Sequence, residues 1–283
     1  MNQNMQYYKK CKDYLVCVDS DGTVMDTMEE KHRNCFGPEL VRAWAFFEDE
    51  EEILNEWYRI NLYAPSRGIN RFKGLAVLLE WIRKNKNIEV KGMDDYIDWV
   101  NHSGELSNDS LLREVKRRNS ECLKKALQWS KDVNYKITLL PKSSKPFKNV
   151  EMGLKVIEKY ADIVVVSSAN SQALEEEWKR NCLDGYVKMV LGQEAGTKKE
   201  CIKHLLEKGY DKNNVLMLGD AIGDMEAAQA NNVGFYPVLA GKEAESWKKL
   251  AEDDFLLLIH RKFDKAFQKK IIMKFIDSFQ KKL

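Results

Sequence analysis

The sequence predicts an α/β fold: a Rossmann-like parallel sheet flanked by helices, with an inserted all-helical cap domain. Three observations carry this reading. Tyr14-Leu-Val-Cys-Val18 is a short, continuous apolar run that stops at a carboxylate, as a parallel strand buried on both faces does. From Pro146 onward, short apolar runs alternate with helix-length stretches, the pattern of repeated βα units. Between these parts, apolar residues recur at helical spacing for more than a hundred positions.

The size and composition fit that reading. The chain has 283 residues, enough for two domains at about 150 residues each. Lys and Arg number 46 against 44 Asp and Glu, a net charge of +2, which disfavours dedicated nucleic-acid binding. Apolar runs such as Phe255 to Ile259 fall far short of the ~18 residues of a membrane helix. Met1 to Lys12 is polar and then basic, and the apolar run Tyr14 to Val18 is too short for a signal-peptide core. The expectation is a cytoplasmic protein, monomer or homodimer, without a membrane or nucleic-acid partner. The six cysteines are scattered with no CxxC pair and read as reduced thiols. The four histidines lack metal-ligand spacing.

The elements follow in order. After the first strand, helical spacing links Leu40, Trp44, Phe47, Leu54 and Tyr58, then Leu75, Leu78, Leu79 and Ile82. Met93, Tyr96, Ile97 and Val100 continue it, as do Leu111, Val115, Cys122 and Ala126. Trp44, Trp57, Trp81, Trp99 and Trp129 lie in this stretch and supply the aromatic area of a separate core. The breaker-rich segment Leu140 to Pro146 ends it. Helix Asn149 to Tyr160 then leads to strand Ile163 to Val166, and helix Ser171 to Asn181 to strand Val187 to Leu191. Helix Lys198 to Lys208 leads to strand Val215 to Leu218, and helix Asp224 to Asn231 to strand Gly234 to Val238. Arg261 to Leu283 reads as a closing amphipathic helix. The expected division is an α/β unit of residues 1–27 and 147–283, and a helical insertion of residues 28–146.

Four clusters lie just past strand ends or at the starts of helices, where open α/β sheets bind ligands. Asp19-Ser-Asp21-Gly22-Thr23 sets two carboxylates two residues apart before a glycine turn. Taken alone it is also what a capped turn prefers. Ser167-Ser168-Ala-Asn170 brings hydroxyls to a helix N-terminus, where backbone N–H groups suit a phosphate oxygen and where serine is equally a plain cap. Thr197 and Glu200 form a capping-box pattern around Lys198 and Lys199. Those lysines oppose the helix dipole, a cost that a nearby anion offsets. Gly219-Asp220-Ala-Ile-Gly-Asp224 offers two carboxylates on a turn, the hard oxygen donors that Mg²⁺ requires.

In these four motifs, and in their order, the chain resembles the haloacid dehalogenase-like hydrolase superfamily. The inserted block resembles the α-helical cap of its phosphoglycolate phosphatase and β-phosphoglucomutase branches. The resemblance implies that Asp19 is a nucleophile and Asp21 a general acid and base. It implies that Ser167 and Lys198 hold phosphate oxygens, with Ser168 and Lys199 as open alternatives, and that Gly22 and Thr23 line the substrate site. It implies Mg²⁺ held by Asp19, the Asp21 carbonyl and Asp220, with Asp224 bound to it directly or through water, or bound to Lys198. Haloacid dehalogenases lack the second aspartate, so Asp21 points to phosphate chemistry. The implied activity is hydrolysis of a small phosphorylated metabolite, with a phosphomutase of the same fold as the alternative and a non-catalytic phosphometabolite-binding regulator as a third reading. Arg67 and Arg71, in a turn-rich basic stretch between two helices, are candidates for clasping a second anionic group of the substrate; a solvated loop is the competing reading.

Overall fold

The computed structural model describes residues 3–86, 88–140 and 144–280. The chain divides into two compact units, Met1–Thr27 with Lys142–Leu283, and Met28–Pro141.

The first unit is built on five parallel strands: β1 (Tyr14–Val18), β2 (Ala161–Val166), β3 (Met189–Leu191), β4 (Val215–Gly219) and β5 (Gly234–Pro237). Their order is β3-β2-β1-β4-β5, with Val16 paired to Ile163 on one side and Leu216 on the other. Each expected strand is present. β3 starts at Met189 instead of Val187, although Lys188 N–H still reaches Ile163 O at 2.8 Å. β5 ends in Pro237, which an edge strand tolerates.

The strands are apolar at nearly every position because helices cover both faces. Val16, Val18, Ile163, Val165, Leu216 and Leu218 pack one core with Trp178, Trp247 and Phe255. The alternate residues Leu15, Cys17, Val164, Val166, Val215 and Met217 pack the opposite core with Ile202, Leu205 and Phe275. The helices of this unit include Val150–Glu158, Ser171–Arg180, Lys198–Leu206, Ile222–Ala230 and Lys265–Gln280. The tail expected to be helical to Leu283 is helical to Gln280, and its last three residues lie outside the described ones. Where the insertion leaves the sheet, Asp26 N–H donates to Lys145 O at 3.1 Å, Phe147 N–H to Val24 O at 2.9 Å, and Met25 bridges Pro146.

The second unit is helical throughout its regular structure, chiefly Gly37–Trp44, Glu50–Tyr58, Arg71–Asn85, Met93–His102, Asn108–Arg118 and Glu121–Leu139. Trp57 and Trp129 meet edge-on at 5.8 Å and 89°, with Trp129 Nε1 donating to Phe36 O at 3.2 Å. Trp44, Trp57, Trp99 and Trp129 are buried there, whereas Trp81 packs on the edge of the core, half-buried. Phe47 does not join this core: it is 62% exposed. The helix stops at Trp44 and Ala45 adopts φ 57°, which shifts the helical register and turns Phe46 inward in its place.

A carboxylate ties the N-terminus to the sheet. Asp162, at the N-terminal end of β2, is buried, and its Oδ2 accepts Cys11 N–H at 2.8 Å, Lys12 N–H at 2.9 Å and Tyr210 O–H at 2.6 Å. Tyr210 in turn shares a 2.7 Å hydrogen bond with Tyr8. Removing that acceptor orphans three donors at a cost of about 1–3 kcal/mol for each one that water cannot reach. Asp162→Ala is therefore expected to lower unfolding stability by about 3 kcal/mol in urea denaturation, with Asp162→Asn recovering part of the loss. A change under about 1 kcal/mol would show that the network does not hold the segment.

Candidate active site

The site is built at the C-terminal ends of β1, β2 and β4, the three central neighbours of the sheet. The strand order reverses at β1, so connections diverge there and leave a crevice. The chain after β1 turns tightly: Thr23, Val24 and Met25 all send N–H groups to Ser20 O at 2.8–3.3 Å. Gly22 supplies the φ of +78° that this turn needs. Two indoles fix it from outside, Trp178 Nε1 on Ser20 Oγ at 3.0 Å and Trp247 Nε1 on Thr23 O at 2.7 Å.

This turn, the β4 turn and the helix after β3 converge on one cluster. Asp19, Asp220 and Asp224 are buried, and a carboxylate oxygen from each lies within 4.8 Å of the others. Lys198, at the first position of its helix, places Nζ 2.9 Å from Asp19 Oδ2 and 2.5 Å from Asp224 Oδ1. Asp224 Oδ2 accepts Ala221 N–H at 3.1 Å, and Thr23 Oγ1 donates to an Asp220 oxygen at 2.8 Å. Gly219 makes room for this: a Cβ there would lie 2.3 Å from Asp224 Cγ.

Electrostatics follow from crowding. Burial holds the Asp19 carboxyl up at about 7; Lys198 opposes the shift while Asp224 and Asp220 reinforce it. Asp224 is likewise raised, by burial first. Burial pulls the Lys198 ammonium down, yet Asp19 and Asp224 outweigh it and its pKa ends above the ordinary lysine value. Three carboxylates around one ammonium leave two negative charges uncompensated when all are ionised. All the donors are hard oxygens, so the residues present fit a divalent cation of the Mg²⁺ type. Asp19, Asp220 and Asp224 would hold it.

Ser167 follows β2 directly and is buried; its N–H donates to Leu191 O at 2.9 Å and its Oγ accepts Ala169 N–H at 3.3 Å. Ser168 is exposed. Lys199 is exposed as well, so of the two lysines it is Lys198 that joins the carboxylates. Thr23 is fully buried and spends its hydroxyl on Asp220, which makes it a positioner of a carboxylate. Asp21 stands two residues beyond Asp19, with Thr27 Oγ1 donating to its Oδ1.

In the helical unit, the basic stretch is ordered. Arg67 is buried, with Nη1 donating to Leu62 O at 2.9 Å. Arg71 stacks on the Phe36 ring at 4.9 Å, and all its hydrogen bonds leave through Nη1, to Ser130 O, Ser130 Oγ and Asn134 Oδ1. Among the described residues no carboxylate pairs with it, and the Nε–Nη2 edge has no protein partner. Burial pulls its pKa down to about 10.

Sequence reasoning missed Thr27, Trp178 and Trp247 as supports of the first turn. Trp178 and Trp247 lie 158 and 224 positions from their partners, and no local pattern announces such contacts.

The haloacid dehalogenase-like hydrolase family model matches residues 92–238, just over half of the chain, and the chain belongs to that family of hydrolases. Among solved structures it is similar to a proposed phosphoglycolate phosphatase from Lactobacillus delbrueckii subsp. bulgaricus: 14% identity, 86% of this chain and 100% of that one covered, TM-score 0.50. A proposed β-phosphoglucomutase from Thermotoga maritima matches at 13% identity, 83% and 99% coverage, TM-score 0.47. A conserved haloacid dehalogenase-like protein of unknown function from Agrobacterium tumefaciens matches at 13% identity, 90% and 100% coverage, TM-score 0.48. No match was found among curated proteins.

The close approach at Gly219 gives a test of the cluster. Gly219→Ala is expected to displace Asp224, lower stability by about 1–3 kcal/mol and abolish any rise in melting temperature on adding Mg²⁺. An unchanged Mg²⁺ response would show that the metal, if bound, does not use Asp224.

Proposed function

We propose that the protein is a Mg²⁺-dependent phosphatase that hydrolyses a small phosphorylated metabolite through an aspartyl-phosphate. The observation that carries this reading is Asp19 at the end of the central strand. Its Oδ2 is engaged by Lys198, while its Oδ1 has no protein partner among the described residues. A carboxylate so placed is a nucleophile whose attack splits one displacement into two easier steps.

The steps balance as follows. An Asp19 oxygen attacks phosphorus in line, the phosphorus–oxygen bond to the leaving group breaks, and Asp21 gives that oxygen its proton. Asp21, now ionised, takes a proton from water as the water attacks the aspartyl-phosphate, which releases inorganic phosphate and frees Asp19. Thr27 holds the Asp21 carboxyl in place for both transfers. Lys198 and Ser167 stabilise the charge spread over the phosphoryl oxygens, Lys198 as a compact positive charge. Bound Mg²⁺ would supply charge neutralisation that lets an anionic carboxylate approach an anionic phosphate.

The substrate, on this reading, carries a second anionic group recognised by Arg71. A guanidinium fork matches a carboxylate or phosphate through two parallel hydrogen bonds, and the open Nε–Nη2 edge of Arg71 is such a fork. Arg67, turned toward Leu62 O, is the weaker candidate.

A phosphate-release assay over sugar phosphates, nucleotides and phosphorylated acids tests this. Turnover is expected with Mg²⁺, lost with chelator and lost in Asp19→Asn; Asp21→Asn should fall by about 10²–10⁴. Lys198→Ala should cost at least about 10², whereas Lys199→Ala should stay within about twofold. Arg71→Ala should raise KM for substrates with a second anion and leave unaffected an aryl phosphate monoester whose aryl group carries no charge. An Asp19→Asn protein with full activity would overturn the nucleophile assignment.

A further inference from the structure

The last helix of the sheet unit carries a second surface unrelated to the carboxylate cluster. Residues 261–283 hold eight Lys and Arg against two acidic residues, although the whole chain is nearly neutral. The helix Lys265–Gln280 turns Ile271, Phe275 and Phe279 into the core. Its opposite face presents Lys265, Lys269, Lys270 and Lys274 together with one acidic residue, Asp277, all exposed. Among the described residues none of these four lysines is in an ion pair, although salt bridges are frequent elsewhere on the surface. At the centre of this face lie Met273, 54% exposed, and Ile276, 40% exposed, three positions apart and so side by side on the helix.

We infer that this face docks the protein onto an anionic lipid bilayer, with Met273 and Ile276 entering the headgroup boundary and the lysines binding acidic headgroups. Charge complementarity selects an anionic partner. The two apolar side chains inside the basic ring select a lipid surface over a nucleic acid, whose phosphate backbone gains nothing from them. Lysine stems suit this geometry because they lie along apolar surface while the ammonium stays at the headgroups. No helix among the described residues is long and apolar enough to cross a membrane, so the helix would lie on the surface.

Flotation of the full-length protein with phosphatidylcholine vesicles, with and without phosphatidylserine, tests the inference. Binding is expected only with phosphatidylserine, weakening about fivefold for each lysine replaced by glutamine and falling at high salt. Met273→Ser with Ile276→Ser should weaken vesicle binding several-fold. The exposed positions should leave the circular dichroism spectrum and melting temperature unchanged, which separates lost binding from lost fold. Absence of phosphatidylserine-dependent binding would overturn the inference. So would binding that ignores the apolar substitutions while an oligonucleotide competes for the same face, or a dimer that buries Met273 and Ile276.

Discussion

The ion pair that Lys198 makes with both Asp19 and Asp224 is the constraint around which the sheet unit is organised. Three carboxylates buried within 4.8 Å of one another repel, and Asp19 and Asp224 hold their protons more tightly than a solvated carboxyl does. An ammonium 2.9 Å from one and 2.5 Å from another offsets part of the repulsion. For that ammonium to arrive, the helix after β3 must begin at Lys198, and the capping box of Thr197 and Glu200 starts it there. For Asp224 to arrive, β4 must end in a residue without a Cβ, and Gly219 meets that need. The polar cluster thus dictates small local choices on two separate segments. Breaking a buried charge pair by removing one partner costs far more than the pair contributes, so these choices are coupled.

The arrangement has a second consequence. A cluster with more carboxylates than ammonium groups is suited to a cation, and on the proposed reading a cation there would offset the charge of an anionic substrate. Phosphoryl transfer asks little of the protein beyond position and charge. The outer supports fit that demand: indoles from two distant helices fix the turn that carries Asp19 and Asp21. Rigid aromatic clamps cost little conformational entropy and fix the turn between Asp19 and Thr23.

Much of this was legible in the sequence because strong local signals coincide with chemistry. Short apolar runs mark all five strands, and the first residue past each of β1, β2 and β4 is a polar residue singled out from sequence: Asp19, Ser167 and Asp220. The sequence leaves Lys198 and Lys199 as alternatives, and in the structure it is Lys198 that pairs with Asp19 and Asp224 while Lys199 is exposed. What escaped was set by tertiary contact. Phe47 shares the helical spacing of its neighbours, yet one left-handed residue at Ala45 shifts the register and exposes it. Thr23 reads as a substrate-site hydroxyl until Asp220, some two hundred positions away, is seen to take its proton. The Asp162 anchor is invisible for the same reason: an aspartate inside an apolar strand looks like an error until its three donors come from residues 11, 12 and 210.

Arg71 marks the point where pattern and geometry part most clearly. By sequence it is one of several basic residues in a loop-like stretch, and a solvated loop accounts for it equally well. By geometry it is a desolvated guanidinium stacked on Phe36 and held by one nitrogen, with no carboxylate among the described residues to neutralise it. Proteins do not leave a cation in that state without cost, and Asn134 and Ser130 offer neutral oxygens only. An anion that completes the fork removes the cost, whereas Arg67, satisfied by a backbone carbonyl, has less to gain. On the proposed reading, the same physics that binds Lys198 to its carboxylates makes Arg71 a place for a second negative group of the substrate.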